Sequence, residues 1–161
     1  MTEAKKTATK KTKAADDDQD GFSDFERQAM KDRAAELRKS KARGKGAAKA
    51  AADLEDVIKT IAEMPDPDRT LAEQVHAIVT KEAPDLAPRL WYGMPAYAKN
   101  GKVLCFFLGA EKDNVRYSTL GFSDVAALDD GTMWPTAFAL TEKLTKAQEK
   151  TISELVRKAA S

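Results

Sequence analysis

Between Trp91 and Lys102 the chain concentrates three aromatic rings, Met94, Pro95 and an Asn100-Gly101 pair. Tyrosine and tryptophan combine apolar area with a polar handle, the mixture that ligand pockets use. Trp91, Tyr92, Met94 and Tyr97, with Tyr117 and Trp134 farther on, form a candidate pocket. Lys102 or Arg116 would supply a charge for an anionic ligand. Two readings stand side by side: rings around an open hollow, or rings packed together as core.

Other reactive side chains offer less. His76 is the single histidine, with Glu73 three residues before it. A Glu-x-x-His pair is half of a di-iron carboxylate site. No second histidine completes it, so a hydrogen bond at the edge of the core is the simpler role. Cys105, the single cysteine, lies within an apolar run that would raise its pKa and leave it inert. Glu55, Asp56, Glu63, Asp66 and Asp68 gather in one span, and Asp129 with Asp130 in another. Hard oxygen ligands of this kind can hold iron weakly, but Lys59 cuts the field of the first group, and a solvated face explains it. The glycines are scattered and form no phosphate cradle, and no Ser-His-Asp set is present. No catalytic residue and no metal ligand is therefore assigned.

The elements that would position these residues follow from periodicity. Residues 1–20 carry no aromatic residue and are expected to be a disordered tail. Ser23 with Glu26 forms a capping-box pattern that opens a helix with a thin apolar stripe, Phe25, Ala29, Met30, Ala34 and Leu37. From Arg38 to Ala52 lysine and arginine alternate with alanine and glycine. This stretch reads as a solvated linker, or less simply as a nucleic-acid arm; no aromatic is interleaved to stack on bases. Residues 21–52 thus form a helix and basic linker, and residues 53–161 the compact domain.

In that domain Asp53 is the expected N-cap for Leu54, Val57, Ile58 and Ile61, an amphipathic helix ending before Met64-Pro65. A second helix starts at Asp66-Pro67 or at Asp68-Arg69, with Leu71, Val75, Ile78 and Val79 on its buried face; Pro84 and Pro88 end it. Met94-Pro95 is expected as a chain turn. Ala96–Ala98 and Val103–Leu108 flank Asn100-Gly101, a type I′ hairpin signal. A third strand is expected over Val115–Leu120, a short helix capped by Ser123, a strand over Ala137–Leu140, and a last helix opened by Thr145 with Gln148. Helices, then a meander of strands, then a helix predict an α+β domain: a small antiparallel sheet of four to five strands packed against N- and C-terminal helices.

Charged residues make up 33% of the 161 and nearly cancel, leaving +1. That balance argues against a nucleic-acid partner. No apolar run approaches the roughly 20 residues that span a bilayer, so no membrane is expected. With no signal-peptide pattern and one cysteine, the expected location is the cytoplasm.

Trp91 to Phe107, then Tyr117-Ser118-Thr119-Leu120-Gly121-Phe122 and Met133-Trp134-Pro135-Thr136, resemble the YdhG-like family of small bacterial proteins, over about residues 53–160. Tyr92-Gly93-Met94-Pro95 followed by Asn100-Gly101-Lys102 carries most of the likeness. That family is a domain of unknown function, and one member is proposed as a frataxin-like iron chaperone. The resemblance implies a helix-plus-antiparallel-sheet fold and a role in iron handling or small-ligand binding, with no catalytic residue to carry over. The expected function is non-enzymatic binding of a small molecule or a metal ion such as iron. The alternatives are a protein-interaction domain working through its N-terminal helix and basic linker, and an enzyme of unknown reaction with an aromatic pocket.

Overall fold

The computed structural model describes residues 21–161; the tail expected over residues 1–20 lies outside them. The chain forms an α+β domain with a five-stranded antiparallel sheet in the order β1-β2-β3-β4-β5. The strands are β1 (Ala87–Trp91), β2 (Met94–Lys99), β3 (Lys102–Leu108), β4 (Ser118–Phe122) and β5 (Ala137–Leu140). Three helices precede them, α1 (Asp24–Arg43), α2 (Ala47–Ala62) and α3 (Asp68–Glu82), and α4 (Lys146–Ala160) follows. None of these helices is long and apolar enough to cross a membrane.

Local chemistry sets the element ends. Ser23 and Glu26 form the reciprocal capping box of α1, and Thr145 with Gln148 does the same for α4. Asn100 and Gly101 adopt φ of 51° and 80° between β2 and β3, as the tight turn requires. α3 begins at Asp68, the later of the two expected starts.

Alternation along the strands sorts the apolar residues between two faces. Tyr97, Cys105 and Phe122 are register partners in one row, and Phe107, Leu120 and Phe138 in the next. These side chains join Leu71, Val75 and Val79 of α3 and Ile152 and Val156 of α4 in one core. The opposite face carries the row Ala96, Phe106 and Gly121. The Phe106 ring lies so close over Gly121 that a Cβ there would collide with it.

Four local expectations are corrected. The basic stretch from Arg38 to Ala52 is helical except around Gly44 and Gly46, because α1 runs on to Arg43 and α2 starts at Ala47, so that Asp53, the expected N-cap, lies inside α2. Alanine and lysine favour helix, and the acidic partners of the cations lie farther along α2. Pro88 does not close a helix but sits in the edge strand β1, where a missing N–H is tolerated. The third expected strand begins at Ser118, since Val115 N–H is spent on Ala110 C=O. Ser123 caps no helix: its hydroxyl donates to the carbonyls of Val103 and Leu104, and its N–H also to Leu104.

Candidate functional site

The aromatic residues singled out from sequence do not converge on one hollow. Tyr97 is 1% exposed, in the core, and its hydroxyl shares a 3.0 Å hydrogen bond with His76 Nδ1. Trp91 pairs with Met94, two residues before Ala96, and therefore shares the face opposite Tyr97. There it packs on Phe106 and, edge-on, against Tyr92, each with ring centres 5.3 Å apart. Trp134 stands before β5, at the other edge of the sheet, beside the exposed Met133 and packed against the core. Arg116 lies over the ring of Tyr117 at 5.2 Å, and Lys102 is exposed at the Asn100-Gly101 turn. Met94 lines a separate hollow with Met64, Pro65 and Phe107. The physical reason for the dispersal is the two-residue period of a strand: neighbours such as Ala96 and Tyr97 must face opposite ways.

The turn in this segment falls at Tyr92-Gly93, not at Met94-Pro95. Trp91 pairs directly with Met94, so Tyr92 and Gly93 form a two-residue loop, with φ of 52° and 75°. Pro95 continues into β2 opposite Leu90. The left-handed backbone at Gly93 favours glycine, and a Cβ there would also displace the ends of the Lys112 and Asp32 side chains.

A charged cleft of about 320 Å³ opens beside this loop, between α1, α2 and β1. Arg33, Lys39 and Arg43 reach it from α1, Lys49 from α2, Arg89 from β1, and Lys112 from the loop after β3. Four carboxylates, Asp32, Glu36, Asp53 and Asp56, face these six cations. Arg43 bonds Asp53 at 2.8 Å and Asp56 at 2.9 Å, which raises its own affinity for the proton. Burial pushes the Asp56 carboxyl up, but Arg43 and Lys39 outweigh it and hold the group below its ordinary value. Lys49 takes the other oxygen of Asp53, and Lys112 takes Asp32 at 2.9 Å. Glu36 accepts from the N–H of Tyr92 at 3.0 Å and of Gly93 at 2.5 Å.

Two guanidinium groups are left short of acid. Arg33 touches Glu36 only at 3.4 Å, at an oxygen already serving Tyr92, and lies 5.5 Å over the Tyr92 ring. Arg89 Nε is buried and has no hydrogen-bond partner. Burial lowers the Arg89 pKa, and the charge of Arg33 lowers it further against the pull of Asp53 and Glu36. A buried donor without an acceptor costs about 1–3 kcal/mol, more when charged, and an anion in the cleft would remove that cost.

This cleft adjoins the hollow at Met94, since Thr60, Gly93 and Lys112 line both. Asp68 closes the far side of the second hollow. It is 3% exposed, accepting from the Ser118 hydroxyl at 2.6 Å and the Glu111 N–H at 3.0 Å, and so ties α3 to β4 and its preceding loop.

Three of the acidic residues raised as oxygen ligands already have partners. Asp56 is engaged by Arg43 and Lys39, Asp66 by Arg69 and Thr70, and Asp68 by Ser118 and Glu111. Among the described residues no three His, Cys, Asp or Glu side chains gather as a metal site would need. Carboxylates already neutralised by arginine and lysine are poor ligands for a hard cation.

Sequence reasoning missed Arg33, Glu36, Arg43, Asp53 and Arg89 as a group. One signal was present: Asp53 and Asp56 share a helix face three residues apart, a short step along the chain from Arg43. Arg89 gives no such sign, because only its place in the edge strand brings it under α1. Comparison with protein families, curated proteins and solved structures returns no match for this chain.

Proposed function

We propose that this is a non-enzymatic, cytoplasmic binding protein whose site is the charged cleft between α1, α2 and β1, and that it takes a small anionic ligand. The observation that carries this reading is the buried, partnerless Nε of Arg89 beside a second under-compensated guanidinium, Arg33. Guanidinium groups match carboxylate and phosphate in shape and charge. Met64, Met94 and Phe107 in the adjoining hollow offer apolar contact to the rest of such a ligand. The YdhG-like character of Trp91–Phe107 agrees with a binding role, and the likeness falls on the Tyr92-Gly93 loop that borders the cleft.

The test is a calorimetric titration and a thermal melt with a panel of phosphate, succinate and citrate at fixed ionic strength, with ferrous iron as comparator. A ligand at 100 times its Kd adds about 2.7 kcal/mol to stability. An anion is expected to raise Tm and ferrous iron to leave it unchanged. Arg89→Ala is expected to weaken the anion at least tenfold, since a charge-assisted contact contributes about 1.5–3 kcal/mol. Equal binding by wild type and Arg89→Ala, or no shift with any anion, overturns the reading.

A second reading rests on α1, which has no buried residue and exposes Phe22, Met30 and Leu37 at its start and along its length. These side chains would seat a protein partner. Phe22→Ser with Met30→Ser, neither of which lines the cleft, would then abolish partner capture and leave anion binding intact.

A further inference from the structure

Glu36 sits where an external oxyanion would sit. In the two-residue loop Tyr92-Gly93 neither N–H is used by the β1–β2 ladder, and the left-handed backbone aims both toward α1. Successive main-chain N–H groups held this way form a concave anion-binding pair. Glu36 spans the pair with both oxygens, Oε2 on Tyr92 and Oε1 on Gly93. That is how a bound carboxylate or phosphate would engage the same two donors.

The helix that delivers this carboxylate is held by charge. α1 buries no residue. Its other ties to the body include Asp32 to Lys112, Arg43 to Asp53 and Asp56, Lys39 to Asp56, and Arg33 over the Tyr92 ring. It joins α2 through Gly44 and Gly46, at φ of 69° and 101°, where a Cβ added to either glycine would meet nothing within 4 Å. Glycine has the widest backbone freedom, so this joint can swing. Removing Glu36 and its helix from the loop would leave two N–H donors beside Lys112 and Arg89, the cations that do not belong to α1.

We propose that Glu36 is a built-in occupant of an oxyanion site at the Tyr92 and Gly93 amides, and that a ligand carboxylate or phosphate monoester displaces it and lifts α1. This rests on the anion-binding reading of the cleft, of whose cations Arg89 and Lys112 stay beside the loop when α1 leaves. Docked α1 and bound ligand exclude one another, so the apparent Kd is the intrinsic Kd divided by the fraction of chains with α1 lifted.

The experiment compares full-length wild type with Glu36→Gln and Glu36→Ala. Inorganic phosphate is titrated in one arm and succinate in the other, with chloride balancing ionic strength because salt alone screens the ion pairs of α1. Both variants are expected to bind the better of the two probes about tenfold or more tightly than wild type, since they lack the competing carboxylate. In wild type, saturating probe is expected to speed tryptic cleavage within α1, at Arg38 and Lys41. In Glu36→Ala that cleavage is fast from the start and the probe adds nothing. Wild type that binds a probe with no change in cleavage, and variants that bind it no more tightly, overturn the displacement and leave the cleft reading standing. Absence of binding in wild type and both variants overturns both.

Discussion

The Tyr97 hydroxyl is carried into the centre of the molecule and ends on His76 Nδ1, so the one histidine of the chain is tied to the core. Burial lowers the His76 pKa. A protonated ring has hydrogens on both nitrogens and cannot accept from Tyr97. The unfolded chain therefore takes up the proton at a higher pH than the folded one. Stability from this residue is full above the ordinary value of 6.5 and falls as pH drops through 6.5 toward the lower folded value. Urea melts at pH 7.5 and 5.0 are expected to show wild type losing more stability on acidification than His76→Gln; parallel losses refute the assignment. Burial raises the Tyr97 pKa, and Cys105 next to it adds to the effect, so the phenol stays neutral in this range.

At the scale of elements, the two capping boxes, the Asn100-Gly101 turn and the apolar run of β3 were legible because each is decided within a few residues. The α1–α2 span was not. Its lysines and arginines look like a solvated linker until Arg43 meets Asp53 and Asp56 across the Gly44–Gly46 joint. β1 was hidden by Pro88, which signals an end to helix but is equally at home on a sheet edge. The dispersal of Trp91, Tyr97 and Trp134 was hidden too, since facing is fixed by register and register by pairing. The Tyr92-Gly93 loop carries its own prediction. Gly93→Ala must hold φ near 75° and push a methyl group into Lys112 and Asp32. The left-handed backbone alone costs about 1–2 kcal/mol. Denaturant unfolding is expected to show at least that loss, with α1 exchanging its amide hydrogens faster than in wild type. A variant as stable as wild type would mean that the loop relaxes freely.

Across the whole molecule two kinds of attachment coexist. α3 and α4 are fixed by apolar packing and by a two-way clamp, in which Gln74 accepts from Leu144 N–H at 2.8 Å and donates to its carbonyl at 3.3 Å. α1 is fixed by polar contacts and an aromatic–guanidinium contact. Such contacts are screened by salt and yield to competing ions, whereas apolar burial is not screened. The overall charge of +1 conceals this local concentration of opposed charges.

Cys105 lies in the middle strand of the sheet, fully covered, and burial pushes its thiol up to about 12. An alkylating reagent meets neither an open path nor a thiolate in the native molecule. Each labelling event therefore records one excursion in which the sheet itself comes apart. Lifting of the first helix passes unrecorded, because that helix does not cover the sulfur. Labelling rates measured with and without phosphate would clock global opening separately from release of the N-terminal segment. Fast labelling of the native protein would show that the sheet breathes on its own.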